Sequence, residues 1–343
     1  MITVFDETQR RHAPSEYVVA GKLQPIPETP ARIGMLLDGV RQLGGSIVAP
    51  PEIFGDDLAL VHGHRYIQFL STLWQRWQYQ KDASPTPLAN VFALGRAGLP
   101  PAGYPDSVVG QAGYHFGDAS CPVTAETFAA ARASAATALH GAQLVLMGER
   151  QVYALCRPPG HHAAADVAAG FCFFNNAALA AEALTRAGKR TAILDIDVHH
   201  GNGTEAIFYA RADVLTVSLH VHPKRFYPFF WGYAEEEGEG EGRGFNLNLP
   251  LERGTALPAY RTALAVALER IAAFNPDLLV LAAGLDIAAD DPFQGFAITT
   301  PEFEVIGRAI AALQRPMLIV QEGGYPSPSL GNNLASLLKG LAT

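Results

Sequence analysis

The chain has 343 residues, 49% of them hydrophobic and only 17% charged, which allows a sizeable core and excludes a disordered or nucleic-acid-coating polypeptide. A formal net charge of −8 disfavours phosphate backbones as partners and suits cationic ones. Glycine (33) and proline (24) are frequent, yet well short of the ~25–30% of low-complexity chains, so many ordered loops are expected.

The N-terminal residues Met1–Thr8 lack a basic region followed by an apolar stretch, so no signal peptide is expected. A Gly- and Pro-rich stretch, roughly 81–124, reads as a long functional loop. An Ala-rich helix follows over Thr124–Met147, then a strand over Gln151–Cys156. A helix over Asn175–Ala187 stops at Gly188, a suitable C′ glycine. Strands are predicted at Thr191–Ile196 and Val214–Leu219, followed by a second long loop, 220–246. That loop runs from an aromatic cluster into five glutamates between Glu235 and Gly242, whose plainest reading is a solvated segment. A helix over Thr255–Phe274 ends before Pro276, and the next strand spans Asp277–Ala282. Thr300 as N-cap and Pro301 as N1 open a helix to Leu313, and a strand over Pro316–Gln321 closes the series.

These strands are almost continuously apolar, as strands covered on both faces are, and they alternate with helices; a parallel sheet wrapped by helices follows. No internal repeat or Ser/Gly linker divides the chain, so a single domain over 1–343 is expected. The longest apolar runs are far shorter than the ~20 residues of a membrane span. Cys121, Cys156 and Cys172 form no C-x-x-C pair, which points to a reducing compartment and a cytoplasmic protein.

Four predicted strands run into polar clusters: Arg157-Pro-Pro-Gly-His161-His162, Asp195-Ile-Asp197-Val-His199-His200-Gly-Asn202-Gly203, Gly284-Leu-Asp286 and Glu322-Gly-Gly-Tyr325. In parallel α/β sheets, ligands bind beyond the carboxyl ends of the strands, so these distant clusters should converge. In extended chain the side chains of Asp195, Asp197 and His199 would line one side. Carboxylate and imidazole together suit a divalent ion such as Zn²⁺, and Asp286 can supply a further ligand. Three protein ligands leave an open position, the pattern of a catalytic zinc, while the oxygen-rich set also accommodates Fe²⁺. His161 and His162 make sense as a general base and a charged or hydrogen-bonded neighbour, with Asp195 and Asn202 as candidate orienting partners. Tyr325, after two glycines, can donate its hydroxyl to a polarised carbonyl. Each cluster alone has a plainer reading: a solvated turn, a helix cap, a buried histidine pair. Their joint occurrence at strand ends disfavours it. Neither a phosphate-binding loop nor a Gly-x-Ser-x-Gly elbow is present.

These motifs, with Gly170-Phe-Cys-Phe-Phe-Asn-Asn176, resemble the zinc-dependent histone deacetylase superfamily from about Val61-His62 to the C-terminus. The opening Ile-Thr-Val-Phe, Glu16 and the Trp74/Trp77 region are most similar to the bacterial acetylpolyamine amidohydrolases. The resemblance implies an arginase/deacetylase-like three-layer α/β fold with a mainly parallel sheet of about eight strands and long loops at the strand C-terminal ends. It implies zinc on Asp197, His199 and Asp286, His162 as general base and later acid, His161 as its electrostatic partner, and Tyr325 as donor to the carbonyl oxygen. Asp195 and Asn202 match the partners of the first and second histidine. A structural K⁺ is implied at Asp195, Asp197, His199, Ser218 and Leu219. Phe171 and Tyr227 match tunnel walls that sandwich a linear aliphatic chain, and a homodimer is implied in which the 81–124 loop narrows the entrance. Tyr227 stands where Phe is usual. Acidic positions for a distal ammonium match Glu16, but others fall on Val109 and Ser120, with Asp118 nearby as the substitute.

The expected function is zinc-dependent deacetylation of N-acetylated polyamines or diamines, of the acetylputrescine or acetylcadaverine type, to acetate and free amine. A small cationic substrate is expected, with no nucleic acid or membrane partner. The alternatives are an acetyl-lysine deacetylase with a wider mouth, a two-metal ureohydrolase, disfavoured by Gly at position 284, and a non-catalytic module that binds acetylated ligands.

Overall fold

The structure, a computed structural model, describes residues 1–93 and 100–343; residues 94–99 of the expected entrance loop, 81–124, lie outside the described residues. Among the described residues there are ten strands: β1 (Ile2–Val4), β2 (Glu16–Val19), β3 (Lys22–Pro25), β4 (Ser46–Val48), β5 (Gln151–Ala154), β6 (Thr191–Asp195), β7 (Val214–Val221), β8 (Asn246–Leu251), β9 (Leu278–Ala283) and β10 (Met317–Gln321). Eight of them form one sheet in the order β4-β1-β5-β10-β9-β6-β7-β8, with every pairing parallel. β2 and β3 form a separate antiparallel hairpin turned by Ala20 and Gly21, both at positive φ.

Alternate residues of the central strands enter two different cores. Ala192, Leu194, Leu279, Leu281 and Ile319 face one, with Ile33, Leu36, Tyr260, Phe303 and Leu334 from the helices Ala31–Gln42, Leu257–Phe274, Thr300–Ala311 and Leu330–Leu341. Ile193, Val280, Ala282, Leu318 and Val320 face the other, with Ala138, Ala142 and Leu184 from Thr127–Leu146 and Asn176–Arg186. A sheet coated on both faces must be apolar on both, which accounts for the unbroken Val/Ile/Leu runs. Each large aliphatic side chain so buried contributes ~1.5–3 kcal/mol.

The predicted strand cores are all present, with ends displaced by one or two residues. The helix Asn176–Arg186 ends as predicted: Gly188 takes φ +78°, its N–H reaches Thr185 O at 2.9 Å and that of Lys189 reaches Leu184 O at 3.1 Å, the paired bonds of a Schellman end. The helix at Thr300 corrects the expectation by one position. Thr299 is the N-cap, its N–H held by Glu302 at 2.7 Å, and Pro301 is second rather than first in the helix.

The order of the strands is what builds the site. β5, β10, β9 and β6 are neighbours in the sheet, and their carboxyl ends carry the four polar clusters, which therefore meet in space.

Candidate active site

Strand β6 stops at Asp195, so the expected alignment of Asp195, Asp197 and His199 along one strand face does not occur. Beyond the strand, Asp195 Oδ1 accepts the Asp197 N–H and Asp197 Oδ1 accepts the His199 N–H, each at 2.9 Å. These two successive turns divide the labour. Asp195 faces His161, while Asp197 and His199 meet Asp286 from the end of β9.

Asp197, His199 and Asp286 are fully or almost fully buried and present ligand atoms within 4.8 Å of one another. Three features fit this group to a divalent cation. Asp286 Oδ2 is buried and accepts no well-formed hydrogen bond; its nearest polar neighbour is His199 Nδ1 at 3.3 Å, so a buried carboxylate oxygen is left under-satisfied. A side chain at Gly323 would run into both carboxylates, and its N–H instead donates to Asp197 Oδ2 at 2.7 Å. The site also draws positive charge. Burial alone would lower the pKa of His199, but its hydrogen bond to Asp197 and the neighbouring Asp286 carboxylate raise it to about 9. Burial and the charge of Asp197 raise Asp286 to about 6. The two carboxylates thus favour the charged form of the imidazole between them.

The two histidines after β5 have opposite electrostatics. His161 is buried, which disfavours its charge, but Asp197 and Asp195 reverse the effect and raise it to about 10. Its Nδ1 donates to Asp195 Oδ2 at 2.9 Å, and Asp197 Oδ1 lies 3.7 Å from its Nε2. His162 is lowered well below the usual histidine value by burial and by its cationic neighbours His161 and His199. Its Nδ1–H donates to Asn202 Oδ1 at 2.7 Å, which leaves the lone pair on Nε2. The two ring centroids lie 4.0 Å apart, with the planes tilted by 46°.

Tyr325 is buried beside Phe171 and Ile26. Burial outweighs the opposing effect of Arg32 and raises its hydroxyl well above the usual tyrosine value, so it stays protonated and able to donate. The Arg32 guanidinium lies 5.0 Å from the ring centroid, and Asp291 Oδ2 accepts the Tyr325 N–H at 2.9 Å.

A cavity of about 510 Å³ leads down to His162 and His199, walled by Tyr17, Phe171, Phe226, Tyr227, Phe293 and Tyr325. Phe171 and Tyr227 are both among its walls. Two expected substrate contacts are placed elsewhere. Glu16 is exposed at the start of β2 and does not line the slot, which the hairpin meets through Tyr17, Val18, Val19 and Ala20. Asp118 lines a neighbouring cleft, with its oxygens taken by Tyr227, Gly170 and Ser120. Arg225 lines the slot in their stead. Asp195 pairs in register with Ser218 on β7, whose hydroxyl hydrogen-bonds His220 Nδ1 at 2.8 Å.

Sequence reasoning missed three supports. Glu322 Oε2 accepts the N–H groups of Gly160 and His161 at 2.6 and 3.0 Å, fixing the histidine loop. Glu28 sits between Arg32 and Arg157, 2.9 Å from each. Asp291 holds Tyr325. A charged residue embedded in an apolar strand end, as Glu322 is, was the available signal.

The profile of the histone deacetylase domain family matches residues 26–341. The chain belongs to this family. Within it, the chain is 41% identical over 347 residues to the acetylpolyamine amidohydrolase of Mycoplana ramosa, covering 100% of both. It is 36% identical over 348 residues to a histone deacetylase-like amidohydrolase of Pseudomonas aeruginosa, covering 94% of this chain and 80% of that one. Its backbone superimposes on the crystal structure of acetylpolyamine aminohydrolase from Burkholderia pseudomallei with a TM-score of 0.94 at 41% identity, over 100% of this chain and 99% of that one. The family carries the deacetylase/arginase fold expected from the sequence. No helix among the described residues is long and apolar enough to cross a membrane.

Proposed function

We propose that the protein is a zinc-dependent amidohydrolase that removes the acetyl group from N-acetylated polyamines or diamines. The observation that carries this reading is the buried Asp197–His199–Asp286 group beside the neutral His162, at the floor of a slot walled by aromatic rings. Full-length similarity to acetylpolyamine amidohydrolases supports the substrate class.

Asp197, His199 and Asp286 would hold the ion. When bound, a divalent ion supplies Lewis-acid polarisation of a carbonyl and acidifies water. The protein's own groups account for the proton traffic. His162, kept neutral and with Nδ1 fixed by Asn202, accepts the proton of the attacking water at Nε2 and returns it to the departing amine. His161, kept charged by Asp195 and Asp197, stabilises negative charge growing beside it. Tyr325 keeps its proton and donates a hydrogen bond to the carbonyl oxygen as it becomes an oxyanion. Phe171 and Tyr227 flank an unbranched chain and keep water from it, and the net charge of −8 attracts a cation over distance.

The fuller reading has further parts. A structural K⁺ is proposed at Asp195, Asp197, His199, Ser218 and Leu219, supported by the adjacency of Asp195 and Ser218 across β6 and β7. A homodimer of single-domain chains, with the 81–124 loop at the entrance, is supported by exposed Phe229, Phe230 and Trp231 in the cleft beside the slot. A cytoplasmic location is supported by three free, buried cysteines. The test is kcat/KM of the metal-loaded protein on N-acetylputrescine and on an acetyl-lysine peptide. Preference for the diamine supports the proposal; preference for the peptide assigns the chain to the lysine deacetylases.

A further inference from the structure

Tyr227 departs from the phenylalanine expected at its position, and the structure gives its hydroxyl a partner: it donates to Asp118 Oδ2 at 2.5 Å. The same oxygen accepts the Gly170 N–H at 3.2 Å, and Asp118 Oδ1 accepts the Ser120 N–H at 2.7 Å. Gly170 precedes Phe171, the opposite wall of the slot, and both take positive φ, +53° and +69°. One carboxylate therefore ties together the two walls that flank the substrate chain. Bonds to an ionised acceptor are about twice as strong as neutral ones, so this tie is stiff.

The position of the tie matters because the slot is not the sole cavity at His162. A second cleft, of about 850 Å³, lies on the other side of Tyr227; Asp118, Asn202 and His162 are among its lining residues. The Tyr227 ring stands edge-on to His162, 4.9 Å between centroids, and lines both slot and cleft, as do Val18, Ser120, His162 and Phe229. A phenylalanine there would have the same shape but no anchor, and its ring could move toward the cleft.

We infer that Asp118 is a specificity-determining residue, whose tether on Tyr227 and Gly170 holds the slot to the width of an unbranched chain and keeps it closed to the cleft. The inference rests on the deacetylase reading of the site. The four proteins to compare are wild type, Tyr227→Phe, Asp118→Asn and the double variant, metal-loaded. The readout is the ratio of kcat/KM for N-acetylputrescine to that for an N-acetylated diamine with two methyl branches on its chain. Each single change should lower this ratio about tenfold, the scale of a hydrogen bond to a charged group, and the double should lower it no further. An unchanged ratio in both single variants overturns the inference, and so do two reductions that multiply in the double, because they would then act separately. Thermal melting of the same four proteins tests the tether without turnover: the double should melt no lower than the worse single, and additive shifts overturn it. Absence of acetate from either substrate in the wild type would instead count against the deacetylase reading, with the melting cycle still deciding the tether.

Discussion

Removing the Glu28 carboxylate should destabilise the fold strongly. Its oxygens lie 2.9 Å from Arg32 NH1 and 2.9 Å from Arg157 NH2, and all three side chains are at most 1% exposed. Arg32 and Arg157 also donate to the carbonyls of Glu322 and Gln9, but those neutral acceptors cannot balance a second buried positive charge. Breaking a buried pair by deleting one partner costs ~3–5 kcal/mol, and Glu28→Ala strands two guanidiniums, so the upper part of that range is expected. With ~2.1 cal/mol/K of unfolding entropy per residue, this length of chain loses about 1 °C for each ~0.7 kcal/mol, so the melting temperature should fall by roughly 5–7 °C. Urea denaturation at neutral pH followed by circular dichroism reads the same loss as a lower midpoint at unchanged slope. Turnover should fall as well, because Arg32 lies against the Tyr325 ring. A stability loss below ~1 kcal/mol, the size of an exposed ion pair, would refute the reasoning by showing that water reaches the two arginines.

Tyr325→Phe should lower kcat by ~10²–10³ with metal content unchanged, as loss of an oxyanion donor does; near-full activity would remove the tyrosine from the mechanism. Asp286→Asn takes one of two charges from the ligand group, so metal analysis after dialysis should find the ion lost while circular dichroism stays native. Buried His62 and His12 are both lowered from 6.5 to about 4, by burial in each case. Between those values the unfolded chain binds protons that the fold does not, so their stabilisation is complete above pH 6.5 and is lost as pH falls toward 4. Each histidine contributes a slope of about 1.4 kcal/mol per pH unit in that window. Denaturation midpoints from pH 7 to 4.5 should show it, and His62→Gln should make the slope shallower; an equal slope would refute the assignment.

The parts of the fold that were legible are those in which burial dictates residue type. Strands β5, β6, β7, β9 and β10 are apolar on both faces because helices cover both, and their polar ends stand out by contrast. The edge strands β4 and β8, and β1 beside β4, left no such trace. β1 and β4 are three residues long, and β8 turns Asn246 and Asn248 inward and carries Pro250, so no apolar run marks it. Asp197, His199 and Asp286 could be picked out because carboxylates and imidazoles rarely follow buried strands without a task. Their exact alignment was not legible: the spacing of two implied strand geometry, whereas side-chain-to-backbone hydrogen bonds turn the chain immediately after Asp195. The fate of Asp118 depended on a contact to Tyr227, 109 residues away, which no local pattern encodes.

The central claim is that the buried Asp–His–Asp group and its neutral histidine hydrolyse an acetyl amide on a small amine. The most direct measurement is acetate release from N-acetylputrescine by zinc-loaded wild type, by the same protein after chelation, and by His162→Ala with its metal content verified. Acetate and putrescine should appear in equal amounts from the wild type, stop on chelation and return with added zinc. His162→Ala should retain metal and lose ~10²–10⁴ in turnover, the scale of general acid–base catalysis. Turnover that survives chelation, or a fully active His162→Ala, would contradict the account.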